Sequence, residues 1–423
     1  MKPSFIIAAT SSGCGKTTFS LGLIRALCDN GMRVRPFKCG PDYIDTRFQS
    51  VAAGVESVNL DLFMASEEHV RDVFSYYSEG SDVCVVEGVM GMFDGYDKMK
   101  GSTAHLARVL DIPVVLLVNA ASAAYSVAAM IYGFSNLIGD IKIAGVVFNR
   151  VASERHFSFL KSACEDVGVK CLGYLQKNDN LKTPSRHLGL TLQSKEEMDR
   201  FVNNAAEEVK RHIDIGSIIR SAKVNIRQNH LKIPRYNGIT VAVARDEAFN
   251  FIYHENLGIF GDGVCFFSPL HDECLPEADI VYLPGGYPEL FAAELAANIT
   301  MKDSIRAFAE SGGKILAECG GLIYLSEMID GNDMCGVFPL KATMKDARLT
   351  LGYRSLAFNG ISIQGHEFHY SHIENPHAWE SIAVQKNARG EDVDTPVYRY
   401  KNTIAGYTHL YWGEKDILKI WDQ

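Results

Sequence analysis

The sequence predicts an α/β protein in two domains, each a parallel sheet wrapped by helices, and three observations carry that expectation. At 423 residues the chain exceeds the length at which a single hydrophobic core keeps growing. Short β-branched runs alternate with helix-length amphipathic segments in both halves, which is the pattern of strand, crossover helix and parallel strand. Between about Ile215 and Asn237 the chain turns polar and basic, then meets Pro234 and Gly238, so the junction is expected there and the domains at 1–220 and 237–423.

In the first half, strands are expected at Ser4–Ala9, Val34–Lys38, Val83–Glu87, Pro113–Val118 and Ile143–Asn149. Helices are expected at Thr17–Asn30, closed by Gly31 as a C-terminal cap, and at Glu154–Val167. A second strand and helix series runs through Thr240–Ala244, Ile280–Leu283, Pro288–Ala296 and Lys314–Ala317. The two series share a pattern without sharing motifs.

Composition narrows the function. With 47% hydrophobic and 22% charged residues the chain is of ordinary globular make-up, and its net charge of −9 argues against a general affinity for nucleic acid or anionic membrane. Phe5–Ala9 is too short for a signal peptide or a membrane span, and Ile112–Val118, broken by Asn119, reads as a buried strand. Ten cysteines without a C-x-x-C pair indicate neither a zinc ribbon nor a disulfide framework, which fits a reducing cytoplasm.

Ser12-Gly-Cys-Gly-Lys-Thr-Thr18 stands between a strand and a helix start, the context a phosphate loop requires, although Thr10 occupies the place of the usual first glycine. Backbone N–H groups at Gly13, Gly15 and Lys16 would converge on the phosphates of ATP, helped by the positive end of the helix. Lys16 would bridge the β- and γ-phosphates, and the Thr17 hydroxyl would take Mg²⁺. Lys38-Cys-Gly-Pro-Asp-Tyr-Ile-Asp45 follows the second strand and Val86-Glu-Gly-Val-Met-Gly-Met-Phe-Asp-Gly95 the third. Ligands of doubly wound sheets bind beyond the carboxyl ends of strands, so Asp42 and Glu87 suit a hard cation while Asp45, Tyr43 and Asp94 would face the acceptor. Two carboxylates after a proline turn are also compatible with plain helix capping.

Far downstream, Lys314-Ile-Leu-Ala-Glu-Cys-Gly-Gly-Leu-Ile-Tyr-Leu325 reads as strand, tight turn and helix. Cys319 would sit on the elbow at a helix N-terminus as a nucleophile, with the Gly320 N–H stabilising an oxyanion. His409, in Ala405-Gly-Tyr-Thr-His-Leu-Tyr-Trp412, is the candidate base. In Gly365-His-Glu-Phe-His-Tyr370, strand alternation separates His366 from Glu367 and His369, and H-E-x-x-H is absent, so a cleft lining is expected rather than a metal site. A thiol that splits glutamine and a loop that binds ATP belong together where ammonia is spent on an activated acid.

Gly13-Cys-Gly-Lys-Thr17, Gly40-Pro-Asp-Tyr-Ile-Asp45, Val86-Glu-Gly-Val-Met-Gly91 with Phe93-Asp-Gly95, Arg186-His-Leu-Gly189 and Ala244-Arg-Asp-Glu-Ala-Phe-Asn-Phe251 together resemble the cobyrinic acid a,c-diamide synthase family, over essentially the whole chain. The resemblance implies an ATP-binding domain of the dethiobiotin synthetase type fused to a class I glutamine amidotransferase domain. It implies phosphate binding by Gly13, Cys14, Gly15, Lys16, Thr17 and Thr18, metal binding by Thr17, Asp42 and Glu87, and acceptor positioning by Lys38, Tyr43, Asp45 and Asp94. Asn149 would read the adenine edge. Pro284-Gly-Gly-Tyr-Pro288 resembles the oxyanion loop of class I amidotransferases, with Gly286 as second donor. Many of those enzymes carry Glu two residues after the histidine; Tyr411 stands there, so a Cys319–His409 dyad is implied. The implied reaction is ATP- and glutamine-dependent amidation of the a and c carboxylates of cobyrinic acid through acyl phosphates, with Mg²⁺. The partners would be glutamine and a tetrapyrrole polycarboxylate, neither nucleic acid nor membrane, and a homodimer stays open. Rival readings are the same reaction on hydrogenobyrinic acid or nickel-sirohydrochlorin, and a partitioning-type ATPase switch. The last usually has lysine where Ser11 stands and lacks an amidotransferase half.

Overall fold

A computed structural model of the chain describes residues 1–178, 181, 195–233 and 235–422. The Arg186–Gly189 motif and Pro234 lie outside the described residues. By contacts the chain forms two compact units, Met1–Leu62 with Ser66–Leu231, and Phe63–Ala65 with Lys232–Gln423.

In the first unit the described strands form one sheet in the order Val58–Leu60, Val34–Cys39, Val83–Glu87, Lys2–Ala9, Val114–Asn119, Ile143–Val151, Cys171–Gln176. All pair in parallel. Only Lys223–Val224 runs antiparallel, beside Lys2–Ala9. Val83–Glu87 is buried throughout and Val114–Val118 likewise, as expected where helices cover both faces of a parallel sheet. Helix Lys16–Asp29 packs Phe19, Leu23 and Leu27 into the core and passes so near helix Lys195–His212 that a methyl group on Gly22 would lie 2.6 Å from the Ala205 carbonyl. The shared strand direction collects the strand ends after Ala9, Cys39, Glu87 and Val151 at one edge, where the phosphate loop begins.

The second unit holds a sheet in the order Val264–Phe267, Val241–Ala244, Ile280–Leu283, Lys314–Glu318, Thr403–Gly406, Val397–Tyr400, parallel except for its last pair. Helix Ile299–Glu310 covers it, burying Met301, Ile305 and Ala309 against Val281 and Ile315. A separate antiparallel sheet runs Asp392–Val393, Gln385–Lys386, Thr350–Phe358, Ile361–His369, His409–Tyr411.

Three strands of the first sheet, Val58–Leu60, Cys171–Gln176 and Lys223–Val224, three of the second unit's mainly parallel sheet, Val264–Phe267, Val397–Tyr400 and Thr403–Gly406, and the whole antiparallel sheet go beyond the sequence expectation. The segment Pro288–Ala296 forms a 3₁₀ turn at Pro288–Phe291 followed by helix Ala292–Ala297.

Candidate active sites

Gly13 and Gly15 take φ of 73° and 94°, a region closed to most residues, and a methyl group on Gly15 would fall 2.2 Å from Asn149 Nδ2. Loop carbonyls are occupied from the strand Ile143–Val151. Asn149 Nδ2 donates to the Cys14 carbonyl at 2.8 Å, and the Arg150 guanidinium donates to that of Gly13 at 3.0 Å. The Asn149 amide is thus committed to the loop, and Arg150 is a contributor that sequence reading missed. Lys16 is buried and its ammonium donates to the Met90 carbonyl. Burial, and then the nearby Lys38 charge, lower its pKa.

Beside the loop lies a buried charge cluster. Thr17 Oγ1 donates to Glu87 Oε1 at 2.9 Å and lies 3.2 Å from Asp45 Oδ2. Lys38 Nζ donates to the same two oxygens, at 2.6 Å to Asp45 and 2.9 Å to Glu87. The other Glu87 oxygen accepts from Ser20 and from Gln49 Nε2 at 2.8 Å. Burial opposes the Lys38 charge, but Asp45 and Glu87 outweigh it and hold its pKa well above the usual range.

A hydroxyl and two carboxylate oxygens converging in this way fit Mg²⁺, which favours hard oxygen donors and fills its remaining positions with water and phosphate. The structure brings Asp45, rather than Asp42, to the Thr17–Glu87 pair. Asp42 Oδ1 accepts from the N–H groups of Ile44 and Asp45 at 2.9 and 2.8 Å, capping the helix Ile44–Ala53. The cluster and the loop line a cavity of about 1330 Å³ that also takes in Asp42, Asn149, Arg150 and Gln176. This is above the roughly 300–1,000 Å³ of ordinary small-ligand pockets. Lys38 and Asp45 face that cavity, whereas Tyr43 and Asp94 are not among its lining. Asp94 Oδ2 instead accepts from the Gly91 N–H at 3.0 Å and closes the turn after Glu87.

In the second unit Cys319 ends the strand Lys314–Glu318 and starts the helix Gly320–Leu325 at φ 49° and ψ −102°. Its N–H donates to the Gly406 carbonyl at 2.8 Å. A methyl group on Gly320 would lie 3.0 Å from the Gly286 nitrogen, and one on Gly321 would fall 2.1 Å from the Leu283 carbonyl oxygen. The loop Pro284–Pro288 is therefore pressed against the elbow. The His409 ring packs on the same loop, for a methyl group on Gly285 would lie 2.1 Å from its Cε1 and 3.2 Å from Nε2. One loop so brings together Cys319, Gly320, Gly286 and His409.

Burial lowers the His409 pKa to about 3, and His366 and His369 add to the effect. His366 faces His409 across the antiparallel ladder and is also lowered by burial to about 3. His369 stacks on Tyr407 at 3.8 Å and hydrogen-bonds the Ser371 carbonyl at 2.8 Å. Glu367 is paired with Arg354 at 2.6 Å. Burial, then the Glu289 carboxylate, raise the Cys319 thiol pKa, and burial carries Glu289 itself up to about 7. The loop Pro284–Pro288 thus gathers a neutral thiol and a neutral imidazole.

Residues 5–190 match the CobQ/CobB/MinD/ParA nucleotide binding domain family, and residues 240–417 the CobB/CobQ-like glutamine amidotransferase domain family. The chain is 39% identical over 442 residues to cobyrinate a,c-diamide synthase of Dehalococcoides mccartyi (strain CBDB1), covering 97% of this chain and 95% of that relative. It is 38% identical to the protein of the same name from Streptococcus sanguinis (strain SK36), covering 99% and 98%, and 38% to that from Listeria monocytogenes serotype 4b (strain F2365), covering 96% of each.

Proposed function

We propose, because this chain belongs to the cobyrinate a,c-diamide synthase family, that it amidates the a and c carboxylates of cobyrinic acid in turn, each through an acyl phosphate. Membership makes it an ATP-dependent ligase that draws nitrogen from glutamine in cobalamin biosynthesis. Residues 1–220 would activate the acid and residues 237–423 would release the ammonia, in the cytoplasm. Among the described residues no helix is long and apolar enough to cross a membrane.

A carboxylate is a poor acyl donor, so the carboxylate oxygen takes the γ-phosphoryl group, the β–γ bridge of ATP breaks and ADP leaves. Such a transfer needs positioning and charge compensation more than covalent help. Lys16 and Lys38 provide cations. Mg²⁺, held by the oxygens of Thr17, Asp45 and Glu87, would compensate further charge on the phosphates when bound. At the other centre neutral His409 takes the Cys319 proton and the thiolate attacks the glutamine amide carbon. The oxyanion is met by the N–H groups of Gly320 and Gly286, protonated His409 returns its proton to the amide nitrogen so that ammonia leaves, and water, losing a proton to His409, hydrolyses the thioester to glutamate and restores the thiol. The ammonia nitrogen then bonds to the acyl carbon, phosphate departs, and the nitrogen loses its extra proton.

The observation that supports this reading most is the loop Pro284–Pro288, with Gly286 against the cysteine elbow and Gly285 against the His409 ring. Its test is a substrate comparison: the protein with ATP and glutamine, and cobyrinic acid, hydrogenobyrinic acid or nickel-sirohydrochlorin, with products weighed by mass spectrometry. The expected result is two acid-to-amide conversions on cobyrinic acid. Conversion of only another ring would overturn the substrate assignment, and glutamine and ATP consumption without amide on any ring would overturn the reaction.

A further inference from the structure

We propose that Glu318, the residue before the nucleophile, is the positioning group that sets His409 against Cys319. The inference rests on the reading of Cys319 and His409 as the glutamine-splitting pair.

The two partners stand on different sheets. Lys314–Glu318 pairs with Thr403–Gly406 in the mainly parallel sheet, whereas His409–Tyr411 pairs with Ile361–His369 in the antiparallel one. Between Gly406 and His409 the chain crosses from one to the other, and among the described residues no strand pairing joins His409–Tyr411 to the nucleophile's strand. The ladder that holds His409 is therefore a different one from the ladder that holds Cys319. Glu318 links the two. Its Oε1 accepts from the N–H of Leu410, the neighbour of His409, at 3.0 Å. Its Oε2 accepts from the Tyr282 hydroxyl at 2.7 Å. Tyr282 belongs to Ile280–Leu283, the strand that leads into the Pro284–Pro288 loop. A single buried carboxyl thus ties the backbone beside the base to the nucleophile's own strand and to the strand carrying the oxyanion loop. The position two residues after His409, where a glutamate would orient the ring, is Tyr411, whose hydroxyl is bonded to Glu255.

Burial raises the Glu318 pKa to about 8, and an amide of the same length keeps an acceptor for the Leu410 N–H. The test compares Glu318→Gln with Glu318→Met, which keeps the length and removes the acceptor. The readouts are kcat and KM for glutamine and the ratio of glutamine-supported to ammonium-supported amidation, with the pH dependence of Cys319 alkylation by iodoacetamide as a direct report on the pair. Glu318→Gln is expected to keep kcat within about tenfold, and Glu318→Met to lose about 100-fold with KM little changed, the scale of a one-ångström misplacement of a catalytic group. The alkylation profile should shift toward that of an isolated thiol only in Glu318→Met. Equal activity of the two variants, or a 100-fold loss in Glu318→Gln, overturns the proposal; should Glu318→Met fail to fold, Glu318→Gln alone decides. Cys319→Ala separates the two levels: if it still splits glutamine, the reading of the site fails whatever Glu318 does.

Discussion

At φ 49° and ψ −102° Cys319 holds a backbone that a side-chain-bearing residue adopts at a cost of roughly 1–3 kcal/mol, kept only because the surrounding turn determines it. The residue before it carries another anomaly, a buried carboxyl bonded to the Tyr282 hydroxyl and the Leu410 N–H. Glu318 has a folded pKa near 8 against an ordinary 4.5, so between those values the folded chain holds a proton that the unfolded chain has released. Its contribution to stability is complete below pH 4.5 and is lost as pH rises through 8. The buried His409 and His366, whose pKa values are lowered, titrate alike in both proteins, so their effect cancels in the comparison. Glu318→Gln removes the titration. Its melting temperature should therefore gain on that of the unaltered protein as pH rises from 6.5 to 8, by the equivalent of up to roughly 2 kcal/mol. A constant difference across that range would show that Glu318 is ionised throughout. Of the candidate site residues, Gly13 to Thr18, Glu87, Cys319 and His409 stand out in sequence because turn chemistry and nucleophile chemistry both restrict residue type at fixed spacing. Glu318 does not, since its role depends on which backbone N–H comes to it from 92 residues away. Asp42 lies apart from the Thr17–Glu87 pair because the helix starts at Ile44, which makes Asp42 its cap and brings Asp45 to Thr17.

Elements were legible where burial is two-sided. Val83–Glu87 and the run Val114–Val118 are unbroken apolar segments apart from the terminal acid, and such runs announce themselves. Val58–Leu60 is too short to show a period, and the strands Thr350–Phe358 and Ile361–His369 mix buried with exposed positions. A signal for that hairpin was nonetheless present: Asn359-Gly360, with φ of 48° and 72°, is the two-residue turn that suits a right-twisted strand pair. The hairpin matters because its second strand carries His366 opposite His409. The His409 ring also packs on Gly285, where a side chain would not fit. Gly285→Ala should push the imidazole aside and lower glutamine-dependent kcat by about 100-fold, while ATP-dependent amidation from ammonium continues. Equal loss of both activities would indicate a general folding defect and remove the special role of the loop.

For the whole molecule, the family's chemistry divides between two compact units with separate cores, and each carries one set of reactive groups. The first holds its charge cluster ready without a nucleophile: Lys38 bridges Asp45 and Glu87, and Thr17 shares the same oxygens. Replacing Glu87 by Gln leaves Lys38 facing one carboxylate and takes a hard oxygen from the Thr17 side. ATP turnover should then fall by about 100-fold or more, as when a fixed electrostatic partner of a transferring phosphoryl group is removed. Glu87 belongs to the first unit and Cys319 to the second, so glutamate release from glutamine by Glu87→Gln should persist. Cys319→Ala should behave in the opposite way, losing glutamate release while ammonium still supports amidation. If the two half-reactions are independent, the losses in the double variant add as free energies. Loss of glutamate release in Glu87→Gln would instead mean that glutamine is split only when the acid-activating half is loaded, and the two centres would then have to be treated as one coupled cycle.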